Sequence, residues 1–148
     1  EFKGRKRTLM GEGTYTELFF LDEVVSLAAG HRPCAECRRA DYKRYCAAIA
    51  DAPVKAADLD KRLHGERMGV RQTVSETGHL PDGAMIAVAD IAYARRKGLA
   101  LPFSFAGYGQ PVAWDNVSTP EAVVLTPATS LRALQNGYEP IWHPSAGT

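Results

Sequence analysis

The chain has 148 residues, 45% of them apolar and 24% charged, and carries a formal charge of +1 from 18 Lys and Arg against 17 Asp and Glu. That length suits one compact unit or two small ones and excludes a large multi-part enzyme, while the balanced charge gives no global field that commits the chain to a polyanion. No apolar run approaches the roughly 20 residues needed to cross a bilayer, no signal-peptide pattern opens the chain, and three cysteines do not build a secreted disulfide scaffold, so a cytoplasmic protein with no membrane partner is expected.

The opening stretch, EFKGRKRTLMGEGTYTELFFL, joins a basic cluster to a β-prone run from Thr14 to Leu21 and predicts a strand or hairpin. It starts at Glu1 rather than Met, which leaves room upstream for further residues. Asp22 then stands where an N-cap would, Val24, Val25, Leu27 and Ala28 share one face, and Gly30 occupies the stop position, so a short helix is predicted. Pro33 ends that helix. From Cys34, CAECRRADYKRYCAAIADA runs at helical period with Tyr42, Tyr45, Cys46 and Ile49 on one side, which predicts a second helix starting at the CxxC.

After Pro53, VKAADLDKRLHGERMGVRQ is helix-compatible, weakened toward its end by Gly65 and Gly69. TVSETGHLPDG is polar and turn-rich and makes the best boundary in the chain. Beyond it, AMIAVADIAYARRKGLALPFSF reads as two apolar runs around a basic turn at 95–98. VAWDNV and EAVVLTP add strand candidates, and TPATSLRALQNGYEPIW reads as a helix stopped at Asn136-Gly137 and followed by a final strand. There is no internal repeat and no low-complexity tract.

Two cysteines three positions apart at a helix start can turn both sulfurs toward one tetrahedral ion, with helix N–H groups favouring the thiolate form. Cys34 and Cys37 are therefore candidate metal ligands, although a structural zinc needs four and no second CxxC exists. Other candidates in the chain are His31, His64, His79 and Cys46. Cys46 lies two and a half helical turns from Cys37 and reads better as a small core residue.

The string FFLDEVVSLAAGHRPCAECRR, and AGxRPCxxCR within it, resembles the second half of the zinc-binding domain of the Ada DNA-repair family. The resemblance covers at most the first third of the chain. It implies that Cys34 and Cys37 hold zinc and that Arg32 lies near a DNA backbone. The family's other two ligand cysteines would fall near Lys3 and Arg7, and one of them is its methyl acceptor, so repair by methyl transfer to sulfur is not implied here. Three readings stay open: a site rebuilt with His or Cys46, ligands upstream, or a metal-free remnant of the fold.

Around the CxxC, Arg32, Arg38 and Arg39 are candidate phosphate contacts, with Lys3, Arg5, Lys6, Arg7, Lys43 and Arg44 nearby in sequence; an ordinary solvated surface is the competing explanation. His64, Glu66 and Arg67 in HGER are candidate catalytic residues, a charged trio able to bind an anion or move a proton, against the plainer reading of a surface histidine. His143 has no evident partner. LPFSFAGYGQP sets Phe103, Phe105 and Tyr108 among glycines, as a base-stacking platform or, more commonly, as core filling. No nucleophile elbow and no Gly-rich phosphate loop is present.

The expected fold class is α+β: an N-terminal strand and helices around the CxxC, then a small antiparallel sheet or barrel with one helix. Residues 1–52 form an Ada-like module, 53–78 a helical linker and 79–148 a β-rich part packed with the rest. The leading functional expectation is a DNA-associated module, with or without zinc. Two others stand beside it: a small enzyme or ligand-binding protein with a pocket between the helices and the sheet, and a homo-oligomeric interaction protein.

Overall fold

The computed structural model describes residues 20–50 and 55–147. The strand or hairpin expected over Thr14–Leu21 lies outside these residues except for Phe20 and Leu21, which are not in a strand. The architecture is α+β, with helices leading and a six-stranded antiparallel sheet following.

Helix α1, Glu23–Ala28, begins where Asp22 Oδ1 accepts the Val25 amide at 3.0 Å, and it ends in a Schellman turn. There the His31 N–H reaches the Ser26 carbonyl across Gly30, whose φ of +94° is open to glycine and costly for other residues. Helix α2 spans Arg39–Ile49, five residues later than the predicted start at Cys34. The intervening residues form a turn in which the Arg38 amide bonds the Cys34 carbonyl, and Arg38, at φ −128°, stands outside the helix. Helix α3 covers Ala56–Met68 and stops at Gly69; α4 is one turn, Val74–Thr77, held by a reciprocal capping box between Thr73 and Glu76.

Strands β1 (Met85–Val88), β2 (Ile91–Arg96) and β3 (Leu99–Ser104) form a meander where two runs were expected. The unforeseen turn is Ala89-Asp90, both at positive φ without glycine, while the basic turn narrows to Lys97-Gly98 because Arg95 and Arg96 pair within β2. Strands β4 (Gly107–Tyr108) and β5 (Val112–Ala113) both pair with β3, and β6 (Val123–Val124) pairs with β1. VAWDNV is only partly strand, since Trp114–Val117 turns into the short helix α5. Helix α6, Ala128–Gln135, is followed by no final strand; Tyr138–His143 runs unpaired to a 3₁₀ turn at Pro144–Ala146. Its backbone groups are instead engaged by α1, as described below.

Register explains why both sheet faces are apolar. Met85, Ala94 and Leu101 stand opposite one another on one face and pack with Val24 and Tyr108. Ile86, Ala100 and Val124 face the other way, against Leu80, Trp114 and Leu131. A third cluster joins the helices through Leu27, Tyr45, Ile49, Leu59, Leu63 and Leu134. Each such fully buried Leu or Ile contributes about 1.5–3 kcal/mol of transfer free energy. Helix α1 gives Val24 to the sheet and Leu27 to the helices, and α6 divides Leu131 and Leu134 likewise, so these two helices join the two parts.

Candidate functional site

The loop from Gly30 to Arg38 carries the CxxC; two anchors fix it directly and a third holds the helix that leads into it. The first is Arg38. Its guanidinium makes two bonds to Glu23, at 3.0 and 3.2 Å, and bonds Asp41 through Nε at 2.8 Å. Glu23 is buried and also accepts the Tyr138 hydroxyl at 2.6 Å and the Ile141 amide at 2.8 Å. Burial alone would lower the Arg38 pKa, but the Glu23 carboxylate more than offsets it and the pKa is raised. Burial, with the Glu23 carboxylate alongside, pushes the Tyr138 phenol far above its ordinary value.

The second anchor is Arg32, whose fork grips Asp60 of α3 at 2.9 and 3.0 Å while Nη1 bonds the Pro33 carbonyl at 3.0 Å. Its cation lies 5.3 Å from the centre of the Tyr42 ring. The third is Asp22. Besides capping α1, it accepts the Tyr108 hydroxyl at 2.9 Å and the His143 amide at 2.8 Å, tying the helix to the sheet and the C-terminal segment. The adjacent acids of LDEVV thus serve as a double clamp, a role that helical periodicity does not reveal.

Held this way, the turn keeps its sulfurs accessible: Cys34 is half-buried and Cys37 exposed. The Cys37 amide donates to Cys34 Sγ at 3.1 Å. Burial acts to raise the Cys34 pKa, but the Cys37 amide and thiol and the amides of Glu36 and Arg38 outweigh it, and the thiol sits below its ordinary value. A nest of amides around one sulfur is what a thiolate requires, whether to bind a metal or to react. Cys46, by contrast, lies in the helical core with Tyr45 and Leu63, remote from this chemistry.

Cys34 and Cys37 are two donors, where a tetrahedral zinc site needs four. Among the described residues no group of three Cys, His, Asp or Glu is close enough to hold an ion. Residues 1–19 and 51–54 hold neither Cys nor His; their candidate ligands are carboxylates. The His31 ring meets Phe20 at a tilt, with centroids 4.9 Å apart.

Of the three arginines expected to meet phosphate, Arg32 and Arg38 are engaged by this chain's own carboxylates. Arg39 stands exposed with Lys43 one turn on, along the outer face that also carries Ala40, Arg44 and Ala47. Arg44 pairs with Asp41.

The HGER trio is divided by helical geometry. His64 and Arg67, three apart, share a face of α3 and line a cleft of about 510 Å³ with Gly30, His31, Arg32, Cys34 and Asp60. Glu66 points to another side, where Oε1 accepts the Thr129 amide at 3.0 Å and Oε2 the Thr129 hydroxyl at 2.6 Å. It is a cap for α6, whose own N-cap position is Pro127 and has no side-chain acceptor. That cleft lies within the helical part, between the Gly30–Cys34 loop and α3, while Glu66 lines a separate pocket of about 260 Å³ with Gly69, Val124 and Pro127, where α3 meets the sheet; the expected trio is thus split between two clefts. His79 is exposed, and His143 accepts the Ser145 amide at the 3₁₀ turn. Phe105 is exposed at the β3–β4 hairpin, edge-on to Phe103 at 5.3 Å, whereas Tyr108 is core.

No helix among the described residues is long and apolar enough to cross a membrane. Comparison with protein-family models, with curated proteins and with solved structures finds no match for this chain.

Proposed function

We propose that the protein is a DNA-associated module organised by the Cys34–Cys37 turn, with zinc held by the two thiolates and phosphates met by Arg39 and Lys43 on the outer face of α2. The observation that carries the reading is an accessible cysteine pair, with the Cys37 amide donating to Cys34 Sγ and lowering its pKa, leading directly into that cationic face. Zinc would join Cys34 to Cys37 and fix the turn, its remaining ligands coming from outside the described residues. Arg32 and Arg38 act behind the interface as braces, because a guanidinium already forked onto a carboxylate has few donors left for phosphate. A methyl-acceptor role is not part of the proposal, since neither Lys3 nor Arg7 offers a sulfur.

Fluorescence anisotropy with a labelled DNA duplex, repeated across salt concentrations, tests this. Binding should weaken steeply with salt. Reversal of two phosphate contacts in Arg39→Glu/Lys43→Glu should reduce the log–log slope by about 2, at roughly 0.9 per contact. Absent or salt-independent binding, or a double variant that binds like the parent, rejects the proposal.

A further inference from the structure

The cleft beside the CxxC contains a cation whose placement the anchoring network does not explain. Arg67 is seated tightly: a Cβ added at Gly30 would lie 3.0 Å from Arg67 Cδ, 3.4 Å from its Cβ and 3.5 Å from its Cγ, so the arginine stem lies over bare glycine backbone. Its Nη1 reaches the Ala29 carbonyl at 3.4 Å, and Nη2 lies 3.3 Å from His64 Nδ1. Among the described residues no carboxylate is within ion-pair distance of Arg67. Asp60, which lines the same cleft, is paired with Arg32, and the adjacent Glu66 is bonded to Thr129. Cys34 Sγ, at the cleft wall, accepts the Cys37 amide.

The tautomer follows from these contacts. A guanidinium can only donate, so His64 accepts at Nδ1, carries its proton on Nε2 on the far side of the ring, and holds the Arg67 fork in place. We infer that the cleft lined by Gly30, Arg32, Asp60, His64 and Arg67 binds the oxyanion of a small molecule, a phosphate or carboxylate gripped by the remaining N–H donors of Arg67, which the Ala29 carbonyl and His64 Nδ1 hold in place. The space of about 510 Å³ is in the range of small-molecule sites. Arg67, which has no ion pair among the described residues, is the charge that attracts the ligand, and the packed Gly30 contact orders its stem before the ligand arrives, which reduces the entropy lost on binding. This site is separate from the outer face of α2 and does not depend on zinc.

Inorganic phosphate is the probe, titrated into the whole chain against chloride of equal ionic strength and followed by NMR at the His64 ring and the Arg67 side chain. Saturable shifts in the millimolar range are expected. Affinity should fall about tenfold or more in Arg67→Gln, the loss of a charged hydrogen-bonding partner. It should also fall in His64→Gln, an exposed substitution that leaves the core untouched. Arg39→Gln/Lys43→Gln should leave it unchanged. Shifts that do not saturate, equal affinity in Arg67→Gln and His64→Gln, or loss of binding only in Arg39→Gln/Lys43→Gln would each overturn the inference.

Discussion

Arg38→Ala separates a bracing arginine from a phosphate-binding one. Arg38 and Glu23 form a part-buried pair in which Glu23, with 5% of its side chain exposed, collects four bonds. Removing Glu23 strands the Arg38 fork, the Tyr138 hydroxyl and the Ile141 amide together, and Glu23→Ala should cost about 3–5 kcal/mol. Arg38 is about a third exposed and keeps water as a partial substitute, so Arg38→Ala should cost less, about 2–3 kcal/mol. Because the two side chains touch, their effects will not add, and the double variant should reveal a coupling of about 1–3 kcal/mol. Urea unfolding of the parent, both single variants and the double variant gives all four values. If Arg38→Ala stays within about 0.5 kcal/mol of the parent, the level of an ordinary surface change, the bracing role is refuted. If it weakens DNA binding without loss of stability, Arg38 is itself a contact.

Three further outcomes follow from the geometry. In metal-free protein, Cys34 should react with iodoacetamide faster than an ordinary thiol near neutral pH, its rate falling as pH drops through the lowered pKa, while Cys46 stays protected until unfolding; equal rates for the two refute the accessible-thiolate account. Gly30→Ala should destabilise by about 1–2 kcal/mol, from its positive φ as well as from the Arg67 stem. Gly65→Ala, in the interior of α3 with no atom within 4 Å, should stabilise by about 0.5–1 kcal/mol; thermal melts that fail to separate the two contradict both. Burial pushes the Tyr45 phenol up to about 12 from an ordinary 10.0. The unfolded chain therefore loses this proton first, and the contribution is full below pH 10 and lost as pH rises toward 12, amounting to about 1.4 kcal/mol by pH 11. Tyr45→Phe should flatten that alkaline decline in unfolding free energy, and an unchanged slope would argue against it.

Much of the helical half was legible because local rules govern it. Asp22 and Gly30 bracket α1 as a cap and a Schellman glycine should, and Asn136-Gly137 stops α6 by the same device. Other features were hidden because they are tertiary. Glu66 looked like part of a charged trio, but its partner, Thr129, is 63 residues away. Arg38 looked like a surface cation until α1 brought Glu23 beneath it. The β1–β2 turn escaped notice because Ala89-Asp90 lacks the glycine that marks such turns, and the expected last strand was replaced by a segment whose amides bond Asp22 and Glu23. The accessible CxxC was readable from spacing. The Arg67–Gly30 contact that shapes the neighbouring cleft was not, since it joins residues 37 apart.

Titration of metal-free protein with cobalt(II), read as thiolate-to-metal charge-transfer absorbance together with the visible bands of tetrahedral cobalt, tests the metal-binding turn most directly. Both should rise to one equivalent per chain, be displaced by zinc, and vanish in Cys34→Ser and Cys37→Ser. A parent protein without charge-transfer absorbance, or one whose bands survive in both serine variants, would contradict a metal held by these two sulfurs.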